Sequence, residues 1–63
     1  MVEEDEVKIG DTGLCISRLA PMGKVLVNDE YYEAKANNVF IDQNTEVIVI
    51  KIENGKLVVK PKN

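Results

Sequence analysis

Residues 45–61 read TEVIVIKIENGKLVVKP, two β-rich runs divided by Asn54-Gly55. Valine and isoleucine are stiff at Cβ and fit a pleated surface better than a helix. Asn-Gly is the pair favoured by a two-residue type I′ turn, where both central residues need positive φ. The stretch therefore reads as a hairpin, with one strand over about 45–53 and a second over 56–60. Pro61, lacking an amide hydrogen, ends the second strand. Leu57 and Val59 should point inward, and Lys56, Val58 and Lys60 outward.

The first run of this hairpin carries more aliphatic weight than one face of a strand can bury. Val47 and Val49 point one way; Ile48, Ile50 and Ile52 point the other. A β-bulge near residues 49–50 would bring Val47, Val49, Ile50 and Ile52 inside and leave Ile48 out. With or without the bulge, an apolar patch stays on the outside, and Leu26, Tyr31 and Val58 are candidates to join Ile48 in it. Such patches on small domains mark partner surfaces. Single exposed apolar residues with no role are the plain alternative.

Upstream, the same alternation recurs twice. Lys24 to Val27 sets Val25 and Val27 against Lys24 and Leu26, and residues 31–36 set Tyr32, Ala34 and Ala36 against Tyr31, Glu33 and Lys35. The second set of the latter carries charges, so the Tyr32 face is expected inside. Asn28-Asp29 joins these runs as a tight turn, since both residues tolerate left-handed geometry. A first strand is expected over about 12–19. The bend LAPMG, 19–23, follows it: Pro21 stops the ladder and Gly23 can take positive φ. Val39, Phe40 and Ile41 read as a short apolar plug between breaks at Asn37-Asn38 and 42–44. Met1 to Lys8, with four consecutive acids from Glu3 to Glu6, reads as a solvated tail. The ordered domain is expected over 9–61, with a short tail at 62–63.

Five short strands with turns every eight to twelve residues and no convincing helix indicate an all-β domain. A small closed or half-closed barrel manages its edges better than a flat sheet. A five-stranded OB-type barrel with little or no helix fits, the segment 37–44 serving as a loop where that fold often carries a helix. With 63 residues, the chain makes one domain with a thin core.

Composition narrows the chemistry. Eight basic and eleven acidic residues give a net charge of −3, which disfavours general attraction to phosphate backbones or anionic lipid. No histidine is present, so the commonest general base and metal ligand is missing. Cys15 has no partner for an internal disulfide and no base to make it a nucleophile. No catalytic residue, metal site, cofactor or small-molecule ligand is expected. Two binding alternatives remain open. OB barrels stack single-stranded nucleic acid on aromatics beside basic residues, and this chain has Tyr31, Tyr32 and Phe40 with four lysines and one acid from Lys51 onward. Biotinyl and lipoyl carrier domains are also small β structures, but they need a lysine at a hairpin tip, where this chain has Asn54-Gly55.

Gly10-x-x-Gly13, then Leu19-x-Pro21-x-Gly23-Lys24-Val25, Phe40-Ile41, Val47-x-Val49 and Asn54-Gly55-x-Leu57-Val58-Val59-x-Pro61 resemble the C-terminal soluble domain of NfeD-like proteins over about residues 9–61. The family's pattern carries a glycine where this chain has Asn44, the next most tolerant residue for left-handed geometry. The resemblance implies an OB-fold barrel and a non-catalytic interaction or scaffolding role. It also implies a membrane-associated parent whose N-terminal helices provide the anchor, some parents carrying a ClpP-like serine protease domain. This domain would lie on the cytoplasmic side, with stomatin- or flotillin-like protein partners.

Overall fold

The computed structural model describes residues 7–62. Five strands follow one another: β1 (Thr12–Cys15), β2 (Met22–Val27), β3 (Glu30–Ala36), β4 (Glu46–Glu53) and β5 (Lys56–Pro61). They close into a barrel in the order β1-β2-β3-β5-β4, and the described residues contain no helix. Neighbouring strands are antiparallel except β3 and β5, which run parallel in the register Ala34↔Leu57 to Ala36↔Val59. This is the OB-type barrel expected from the strand count.

The turns have the backbone geometry that their residues favour. Asn28 and Asp29 both take positive φ between β2 and β3, as do Asn54 and Gly55 between β4 and β5. Asn44 has φ 67°. Asparagine's short polar side chain makes that conformation tolerable.

Inside the barrel, Val25, Val27, Ala34, Ala36, Val47, Val49, Leu57 and Val59 are buried along the four longer strands, with Cys15 from β1. The expected bulge lies between Val49 and Lys51. Its extra residue resets the alternation, so Lys51 pairs with outward-facing Val58 and Ile52 pairs with inward-facing Leu57. Ile50 is half-buried at the bulge, whereas Ile52 remains 43% exposed, contrary to the expectation that both would be enclosed. The strand has reached the mouth of the barrel at that point. Ile52 lines a depression there with Val7, Tyr32 and Leu57.

Other expectations are corrected. β1 stops at Cys15 rather than continuing to residue 19. Its last amide donates to the Thr45 carbonyl oxygen at 3.0 Å, and the Cys15 carbonyl accepts from Asn44 N at 2.8 Å. Leu19 instead exchanges two backbone hydrogen bonds with Ile41, at 2.8 and 3.0 Å, tying the 16–21 loop to the 37–45 loop. Within the expected plug only Ile41 is buried; Val39 and Phe40 are exposed, because pairing with Leu19 turns Ile41 inward and sends its neighbour out.

Gly23 lies in β2, not in the bend, and is not among the residues with positive φ. It is needed for space: a Cβ there would meet Leu19 Cδ2 at 2.5 Å, Arg18 O at 2.6 Å and Ser17 Oγ at 2.8 Å. The bend itself holds a cis Ala20-Pro21 bond.

The acid run Glu3–Glu6 lies outside the described residues, as does Asn63. Val7, expected in the tail, packs into the core cluster. Lys62 extends the β4–β5 ladder by donating its amide to the Glu46 carbonyl at 3.0 Å.

Candidate functional site

The barrel interior offers no chemistry. It is aliphatic, and no polar or charged residue among those described is buried. Cys15 is enclosed in that interior, where burial raises its thiol pKa and favours the neutral, unreactive form. Among the described residues no group of three or more histidine, cysteine, aspartate or glutamate side chains is placed to hold a metal ion. Whatever the domain recognises must meet its outer wall or its ends.

The outer wall follows from strand register. Leu14 on β1 faces Leu26 on β2, and Leu26 faces Tyr31 on β3. Outward-pointing side chains directly opposite on neighbouring strands stand about 4.5–5.5 Å apart at Cβ. The three therefore form an apolar row across three strands. Tyr31 is 65% exposed, and Leu14 and Leu26 are half-buried. On the other side of Leu14 the row ends at Glu46 of β4.

The structure thus brings two of the candidate surface residues, Leu26 and Tyr31, into direct register. Ile48 lies one row away, paired with Thr12 and Lys60, and is half-buried. Val58 does not belong to this surface. It points outward as expected but is only 7% exposed, and its register partners are Lys35 on β3 and Lys51 on β4. A valine set between two lysines is shorter than either neighbour and lies below the level of their stems. Leu14, which completes the row, was missed because the expected first strand was too long to assign its faces.

Two further features complete the surface. A depression of about 370 Å³ opens in the wall between β1 and β2, lined by Gly13, Leu14 and Leu26, with Asp29 and Glu46 at its margin. At the far end of the barrel Phe40 is 68% exposed, and the Arg18 guanidinium lies 5.9 Å from its ring centroid. That separation is within cation–π range. Phe40, expected in the plug, lies outside because it alternates with the buried Ile41.

The alternative binding modes lack their parts. Tyr31 sits on the β2–β3 face that OB folds use for single strands, but Asp29 and Glu30 just precede it in the chain, where a basic groove would be needed. No lysine stands at the Asn54-Gly55 tip. Lys51 lies within β4, its Nζ 2.9 Å from the Glu53 carboxylate. The hydrogen bond and charge of Lys51 hold the Glu53 carboxyl below the usual range.

Comparison with known proteins agrees with this architecture. A family model described as "NfeD-like C-terminal, partner-binding domain" matches residues 5–61. Among solved structures, the chain is similar to the C-terminal domain of stomatin operon partner protein 1510-C from Pyrococcus horikoshii. The TM-score is 0.85 at 25% sequence identity, over 87% of this chain and 88% of that one. No curated protein matches the chain.

Proposed function

The chain belongs to the NfeD-like family as a C-terminal, partner-binding domain, and we propose that it holds a stomatin- or flotillin-like protein on behalf of a membrane-associated parent. In this reading the domain lies on the cytoplasmic side and catalyses nothing. The interaction domain in this reading spans residues 9–61, and the membrane anchor is supplied by the parent; no helix among the described residues is long and apolar enough to cross a bilayer.

One observation carries the reading: a closed barrel with an inert aliphatic interior presents Leu14, Leu26 and Tyr31 in a row on its outside. Burial of apolar surface against a partner gives such a row a purpose. The choice of partner is supported by the printed name of the structural relative, a stomatin operon partner protein.

Co-purification tests it. The tagged chain is mixed with detergent-solubilised stomatin-like protein from the same genome. Retention of that protein in stoichiometric amounts is the expected result. Failure to retain it at micromolar concentrations, with the barrel shown to be folded, would overturn the reading.

A further inference from the structure

Resting on the partner-binding reading, we propose that the depression between β1 and β2 is the docking site. Its occupant is an extended partner segment carrying one apolar side chain with a basic residue two positions to either side. The floor is apolar, made of Leu14 and Leu26 in direct register, with Gly13 also in the lining. Its volume of about 370 Å³ falls within the roughly 300–1,000 Å³ range of clefts that hold small ligands.

The margin decides the chemistry of the occupant. Asp29 stands at the β2–β3 turn and Glu46 faces Leu14 from β4, while no lysine or arginine among the described residues lines the depression. Asp11 and Glu30 add two further carboxylates at the same end of the barrel, Asp11 accepting a hydrogen bond from Asn28 Nδ2 at 3.3 Å. The Lys62 Nζ is 4.0 Å from the Glu46 carboxylate, and both side chains are exposed. Such a pair contributes little and exchanges readily for a partner's cation.

Crossing from β2 to β4 spans two strand spacings, about 10 Å. In an extended segment, residues two apart share a face and are separated by roughly 7 Å. A Lys-x-Leu-x-Lys pattern therefore sets its leucine over the floor, and its long lysine side chains reach the two acidic margins. Like-charged segments are rejected by the same carboxylates, so the margin gives selectivity as well as attraction.

The probe is a capped pentapeptide, Lys-Ser-Leu-Ser-Lys, titrated into the isotopically labelled full chain at low salt. Amide shifts at Leu14, Leu26, Asp29 and Glu46 are expected, with Glu-Ser-Leu-Ser-Glu causing none. The double variant Asp29→Asn, Glu46→Gln keeps a residue that tolerates positive φ at position 29. It should bind the basic peptide roughly tenfold more weakly.

Equal binding of the acidic peptide, shifts confined to Phe40 and Val39, or full affinity in the double variant would each overturn the assignment. Running the co-purification beside the titration separates the two claims. If the stomatin-like protein is retained equally by wild type and double variant, the docking site is wrong and the partner-binding reading stands. If the basic peptide binds the depression but the stomatin-like protein is not retained, the site stands and the choice of partner falls.

Discussion

Gly13 of β1 backs onto Val27 of β2: a Cβ built on Gly13 would lie 2.5 Å from Val27 Cγ2 and 2.6 Å from the Leu26 carbonyl oxygen. The backbone there is not in the left-handed region, so the requirement is one of space alone. It is what lets the four-residue β1 close the barrel against β2.

Gly13→Ala should therefore destabilise the fold by about 1–3 kcal/mol, the usual cost of forcing atoms into a packed interior. For a domain of this size each kcal/mol lowers the thermal midpoint by about 4–8 °C. Thermal unfolding followed by circular dichroism checks this. Adding Val27→Ala should return part of the loss, because it removes the nearer of the two clashing groups and leaves the carbonyl.

Gly23→Val should be at least as damaging. Its Cβ would meet the buried Leu19 side chain and the Arg18 carbonyl, where β2 packs under the 16–21 loop. The loss should be one of stability alone: at a temperature where the variant is folded, its affinity for the partner should equal that of the wild type. A loss of affinity in folded Gly23→Val would place binding at this end of the barrel.

Asn44 tests the turn chemistry. With φ at 67°, Asn44→Gly should be tolerated or mildly stabilising. Asn44→Val should cost about 1–2 kcal/mol, the penalty for holding a residue with a bulky Cβ in the left-handed region. Urea midpoints of the two variants, compared with wild type, decide it.

Cys15 sets a pH dependence. Burial raises its pKa in the folded state, so the folded protein holds this proton more tightly than the unfolded chain. The associated stability is fully present below the ordinary thiol pKa of about 8.5 and is lost as pH rises through the raised value. The slope reaches at most about 1.4 kcal/mol per pH unit. Comparing wild type with Cys15→Ala between neutral pH and pH 10 isolates this component from the lysines and tyrosines. The wild type should lose stability more steeply. Alkylation of Cys15 should also be slow in the native protein and fast in denaturant.

Strand number, hairpin turns and inward faces were legible from local rules, because each rests on alternation and on residues that tolerate positive φ. Asn28-Asp29 and Asn54-Gly55 announce their turns, and the charges on Glu33 and Lys35 reveal which side of β3 faces water. The features that escaped are those set by distant contacts. Gly23 serves Leu19 and Arg18, which no local rule connects to it. Phe40 is exposed because Ile41 pairs with Leu19 across the far end of the barrel. Val58 alternates outward as expected, yet its burial depends on lysines from two other strands.

The candidate surface was half legible for the same reason. Leu26 and Tyr31 emerge from the alternation of their own strands. That they are direct neighbours, and that Leu14 extends their row towards Glu46, depends on a register that no single strand encodes.

The central claim is that the outer wall binds a partner and the interior only holds the fold together. Leu26→Lys tests it most directly, since Leu26 is outward-facing, half-buried and in the middle of the row. Its thermal midpoint and its affinity for the stomatin-like protein should be measured on the same preparation. We predict a stability change within about 1 kcal/mol, typical of an outward position, together with at least a tenfold loss of affinity. Unchanged affinity in the folded variant would contradict the account.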